Sequence, residues 1–212
     1  GRRRHPMGIV VYHHPYSRAS NVVWMLEELE KPYELRFVDI MKGAQKEPAI
    51  LALNRMGKLP ILTDGDAVVT ELAAIGVYLA DRYAPGKLAP ALDDPARATF
   101  LRWSFYAPSV IEPGTSAKAS GWQFRPGAAG WGTFEEMIAT MEGAVAGKDY
   151  LLGDRFSMAD VIFGGTIRYM LRFKMLEPTP TFTAYSERLG ARPAAQRAEA
   201  KNTAIAREHG LG

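Results

Sequence analysis

Hydrophobic and polar positions divide this chain into two regimes. "GIVVY", Gly8 to Tyr12, is a short apolar run rich in β-branched residues, which predicts a buried strand. "HHPYS" breaks it. Ala19, Val22, Val23, Leu26 and Leu29 then recur at helical spacing, with Ser17 or Ser20 placed to cap the helix. "PYELRFVDI" alternates Tyr33, Leu35 and Phe37, as a half-buried strand does. "GAQKEPAILALN" predicts a short helix. "LPILT" and "AVV" flank the turn "DGD", a hairpin pattern. Thr70 is expected to cap a helix running to about Tyr83, with Leu72, Ile75 and Leu79 on one face. The order is β-α-β, then α-β-β-α. It implies parallel strands joined by a right-handed crossover, with the hairpin adding an antiparallel edge.

Beyond residue 83 the period of two disappears. "APGKLAPAL", residues 84–92, reads as a linker. "DDPARATFLRWSFYA" opens a helix with acidic residues and proline in its first turn. "TFEEMIATMEGAVAG" predicts another. "FSMADVIFGGTIRYMLRF" begins with Ser157 as N-cap and Asp160 at the third helical position, a capping pair that assigns Asp160 to folding. "PTFTAYSERLGARPAAQRA" gives one or two more helices, and the glycine-rich stretch from Trp122 to Thr133 is a loop. The expected division is an α/β domain over 7–83, a linker over 84–92 and an all-α domain over 93–212.

Composition narrows the function. The 212 residues suffice for a substantial core, and no apolar run approaches the roughly 18 residues of a membrane span. The net charge of +3 rests on Arg2, Arg3 and Arg4. Without them 23 basic residues face 23 acidic ones, so no basic face points to nucleic acid. These arginines precede Met7, which reads as a native start, so residues 1–6 are expected to be an addition. No apolar stretch follows them, so no secretory signal is read and a cytoplasmic setting is expected. There is no cysteine, which excludes disulfides and any protein thiol as nucleophile. His5, His13, His14 and His209 lack metal-site spacing, so no metal is expected. His13 and His14, adjacent on a strand, would point to opposite faces.

Pro60 is the anomaly, because proline cannot donate to a strand ladder. It sits in "NRMGKLPIL", followed by "TELAAIGVYLADRY", "YLLGDRFSMADV" and "YSERLGARPAAQRA". In order and spacing these motifs resemble the glutathione transferase superfamily over nearly the whole chain, as a serine-type member with a phi/theta-like N-terminal motif. The resemblance implies a thioredoxin-like N-terminal domain that binds glutathione and an all-α C-terminal domain that binds an electrophile. It makes Pro60 a cis-proline, with the backbone of Leu59 holding glutathione's cysteinyl unit like an added strand.

The resemblance also assigns roles. Ser17, in "PYSRAS", becomes the hydrogen-bond donor to the glutathione thiolate; Tyr12 is the rival, with Tyr16, Ser20 and His14 behind it, and Arg18 as electrostatic support. Glu71 would bind the γ-glutamyl ammonium. Leu72 stands where the family has a serine or threonine for the carboxylate, a departure that puts glutathione affinity in question and that Thr70 could partly offset. Lys58, Gln45 and Lys42 are candidates for the glycyl end. Trp103, Tyr106 and Ser109 would wall the site of a small hydrophobic second substrate. The implied activity is conjugation of glutathione, a co-substrate, to that electrophile in a homodimeric detoxification enzyme, with peroxidase, dehalogenase, isomerase or ether-cleaving variants. The alternative is a non-catalytic ligand-binding or interaction member with weakened glutathione binding.

Overall fold

The computed structural model describes residues 8–211; Met7 and the arginines before it lie outside the described residues. Two compact units result, one of residues 8–79 with 193–211 and one of Ala80–Arg192.

In the first unit, β1 (Ile9–His13), β2 (Tyr33–Phe37), β3 (Ile61–Asp64) and β4 (Ala67–Thr70) form one sheet in the order β2-β1-β3-β4. β1 and β2 are parallel, which demands a crossover, and α1 (Ala19–Leu29) supplies it. β3 runs antiparallel to β1, and β4 to β3. Gly65 opens the two-residue hairpin loop at φ +58, which a residue without Cβ adopts freely. Val10, Val11, Ile61 and Leu62 on the central strands are buried, as are Val22, Val23, Met25 and Leu26 on α1.

The segment after β2 is less regular than its pattern suggested. Two 3-10 turns, Ile40–Lys42 and Ala44–Lys46, precede α2, which covers only Pro48–Leu53. α3 (Leu72–Tyr83) buries Ile75 and Leu79, while Leu72 is half-buried. Thr70 does not cap α3, because it is the last residue of β4. Glu71 turns the chain instead, and its carbonyl accepts the Ile75 N–H at 2.9 Å.

The second unit is helical. α4 (Ala96–Tyr106) runs through a π-helical segment, Ala107–Ile111, into α5 (Glu112–Ser120). Pro108, Pro113 and Gly114 look like breakers, yet helix continues past all three. The π-helical turn changes the helical hydrogen-bond register around Pro108 and Pro113, and a Cβ on Gly114 would lie 2.6 Å from Met137 Sδ and 3.1 Å from Trp131 Cβ, so both side chains pack directly onto the glycine. α6 (Phe134–Val145) and α7 (Met158–Arg172) each start with a complete capping box, Thr133 with Glu136 and Ser157 with Asp160. α8 (Pro180–Gly190) follows. Asp160 is buried and accepts hydrogen bonds from Ser157 N (3.0 Å), Leu151 N (3.0 Å) and Tyr185 Oη (2.7 Å). Burial pushes its carboxyl up to about 6 against those three bonds.

The last helix, α9 (Pro193–Glu208), lies beyond residue 93 in sequence but packs against α1 in the first unit. Its buried face is Ala194, Ala195 and Ala198, small enough for close approach.

Candidate functional site

Strand register gathers the candidate residues of the first unit at one end of the sheet. Tyr12 pairs with Ile61, and Ile61 with Thr70. The end of β1, the start of β3 and the end of β4 therefore coincide. Ser17 follows the first, Leu59 and Pro60 precede the second, and Glu71 and Leu72 follow the third. The Leu59–Pro60 peptide bond is cis.

Ser17 lies in the turn leading into α1. It does not occupy the N-cap, which is Arg18, a residue without a side-chain cap bond; nor does Ser20, which already lies within the helix. Ser17 Oγ instead accepts the Ala19 N–H at 3.1 Å and donates to the His14 carbonyl at 2.8 Å. That carbonyl also accepts the Ser17 N–H at 3.0 Å, so it keeps a partner if the hydroxyl turns away. His14 anchors the turn a second time, its Nδ1 accepting the Tyr16 N–H at 3.0 Å. Both histidine rings are buried, and burial lowers both pKa values, so they are neutral at pH 7. In sequence the pair lacks metal-site spacing, and His14 is only a minor thiolate-donor candidate; nothing in their spacing shows that one of them braces Ser17.

Tyr12 packs against the cluster of Val38, Ile50 and Ile61, and its hydroxyl accepts from Arg36 at 3.4 Å. It is thus a strand aromatic with a partner on β2. Gln45 and Lys58 are brought close by Gly57, whose absent Cβ would lie 2.8 Å from the Gln45 carbonyl. Lys58 is exposed, and Gln45 Oε1 is buried with no hydrogen-bond partner among the described residues. Lys42, 3.9 Å from Asp39, is also exposed. Leu59 is half-buried beside Tyr12's cluster.

Glu71 is exposed with φ +74. A non-glycine residue in this left-handed region is strained by about 1–2 kcal/mol, and such strain tends to gather at functional positions. The N–H groups that open α3 follow it directly, a favourable place for a carboxylate.

Trp103 and Tyr106 belong to the second unit. Their rings meet edge to face at 5.2 Å, and Phe163 lies 5.5 Å from Trp103. Trp103 is only 5% exposed and Tyr106 more open, so Tyr106 offers the accessible surface. Ser109 lies in the π-helical segment and is exposed. Among the described residues no three His, Asp or Glu side chains are placed to hold a metal ion, and no helix is long and apolar enough to cross a membrane.

Residues 16–82 match the family model "Glutathione S-transferase, N-terminal domain" and residues 115–188 match "Glutathione S-transferase, C-terminal domain". Glutathione S-transferase 2 of Schizosaccharomyces pombe is 30% identical over 82% of this chain and 86% of its own length. Glutathione S-transferase 1 of the same yeast is 31% identical over 67% of this chain and 66% of its own length. Among solved structures, the glutathione transferase URE2P6 from Phanerochaete chrysosporium, in complex with oxidized glutathione, superposes with a TM-score of 0.79. It is 25% identical over 95% of this chain and 99% of that one.

Proposed function

The chain belongs to the glutathione S-transferase family, and on that premise we propose that it conjugates the glutathione thiolate to a small hydrophobic electrophile, with Ser17 stabilising the thiolate. A free thiol has a pKa near 8.5, and lowering it by about two units takes about 2.7 kcal/mol. One hydrogen bond to a charged group contributes about 1.5–3 kcal/mol, and a helix N-terminus about 0.3–1. Ser17 at the head of α1 therefore suffices, and no protein nucleophile is needed. The sulfur attacks the electrophilic carbon, and the leaving group departs with the bonding pair.

The observation that carries this reading is the hydroxyl's present bond. Ser17 Oγ–H rests on the His14 carbonyl, a neutral acceptor that retains the Ser17 N–H. A thiolate is the stronger acceptor, so the proton can turn to it without orphaning the carbonyl. Tyr12 Oη accepts from Arg36 at 3.4 Å, which leaves its own proton free, so it remains the rival donor. Glu71 takes the γ-glutamyl ammonium, the first N–H groups of α3 the carboxylate, the Leu59 backbone the cysteinyl unit, and Gln45 with Lys58 the glycyl carboxylate. Trp103 and Tyr106 serve the second substrate. A homodimer, a cytoplasmic setting and a detoxifying role come with the family reading, and light scattering at twice the chain mass would support the first.

Thiolate absorbance of bound glutathione against pH tests the assignment. Ser17→Ala should raise the bound thiol's pKa by about one to two units, and Tyr12→Phe should leave it in place. The reverse pattern would give the role to Tyr12. Leu72 favours a second reading, a ligand-binding member with weak affinity for glutathione; that reading predicts no thiolate signal in any variant.

A further inference from the structure

The turn that carries Ser17 has two stems, the end of β1 and the first turn of α1, and one side chain holds both. Asn202, on α9, lies 182 residues or more from either stem in sequence. Its Oδ1 is 2.7 Å from His13 Nε2 at the end of β1. Its Nδ2 donates to the Ser20 carbonyl in the first turn of α1 at 3.1 Å. Ser20 in turn donates its N–H to the Ser17 carbonyl at 3.1 Å. The amide has only one workable orientation. A carbonyl can only accept, so Nδ2 must face Ser20, which leaves Oδ1 to accept from His13 Nε2–H. This fixes His13 as the neutral Nε2–H tautomer. The segment after α9 braces the same turn indirectly. His209 stacks on Phe37 at 3.6 Å, and Phe37 lies 5.3 Å from the His14 ring.

We propose that Asn202 is a positioning residue for the thiolate step: by bonding His13 and Ser20 together it sets the span of the turn and hence the place of the Ser17 hydroxyl. It touches no substrate. The inference rests on the Ser17 reading, and its test keeps the two apart.

The bound thiol's pKa is measured in the full chain for wild type, Ser17→Ala, Asn202→Leu and the double variant, alongside calorimetric affinity for S-methylglutathione, which has no thiol to ionise. Asn202→Leu should raise the thiol pKa by about one unit, a tenfold loss of thiolate below the pKa, and leave S-methylglutathione affinity within about twofold. The double variant should match Ser17→Ala, because the two act through one hydroxyl. Should Asn202→Leu fail to fold, Asn202→Asp keeps the His13 contact, loses the donor to Ser20 and should shift the thiol in the same direction. A thiol pKa unchanged in the Asn202 variants but raised in Ser17→Ala overturns this inference alone. Equal weakening of glutathione and S-methylglutathione, with no pKa change, also overturns it and leaves Asn202 a purely structural tie. No shift in Ser17→Ala removes the Ser17 reading itself.

Discussion

Leu72 tests the binding site at the scale of one residue. It opens α3 directly after the strained Glu71, where a hydroxyl could add a charge-assisted bond to the γ-glutamyl carboxylate that we propose is bound there. Such a bond contributes about 1.5–3 kcal/mol. Leu72→Ser should therefore tighten glutathione binding by about 10-fold or more, measured by calorimetry; since Leu72 is only half-buried, the fold should tolerate the change. Unchanged affinity would place the γ-glutamyl carboxylate elsewhere. The motif that singles out Ser17, Glu71 and Leu72 as candidates was legible in the sequence. The hydroxyl's bond to the His14 carbonyl was not, because a three-residue turn bond leaves no periodic trace.

At the scale of elements, α9 is tied to α1 by charge as well as by alanine packing. Glu27 on α1 accepts from Arg197 (2.8 Å), Lys201 (2.8 Å) and Tyr33 Oη (2.6 Å). Burial pushes its carboxyl up, but these bonds outweigh it and hold the pKa at about 2. Burial, with Glu27's acceptor, pushes the Tyr33 phenol up to about 12. The folded Glu27 pKa lies below its ordinary 4.5, so its stabilisation is present above that value and is lost as pH falls toward 2. Glu27→Gln should lower stability at neutral pH by about 1–2 kcal/mol, since both cations are half-exposed. It should also flatten the decline of denaturation midpoints between pH 4.5 and 2. An acid decline identical to wild type would deny the cluster this role. The strands, α1, α6 and α7 were readable because their periods and caps are local. The helix through Pro108 and Pro113 was not: its prolines signal a break, and the packing of Met137 and Trp131 onto Gly114 leaves no local trace in the sequence.

For the whole molecule, the change from period two to period 3.6 near residue 83 revealed an α/β part followed by a helical part, and the family match agrees with that architecture. The return of α9 to the first unit was hidden, because Glu27, His13 and Ser20 are joined to it across more than 160 residues. That return ties Asn202 to both stems of the turn that holds Ser17 and stacks His209 on Phe37. The proposed function requires that this end of the sheet bind glutathione although Leu72 lacks a hydroxyl. Calorimetric titration of glutathione into the folded protein tests it most directly. Saturable binding is expected, with a dissociation constant of about 1 mM or lower, a free energy of about −4 kcal/mol or better. No detectable heat of binding, from a protein whose cooperative unfolding shows it to be folded, would contradict it.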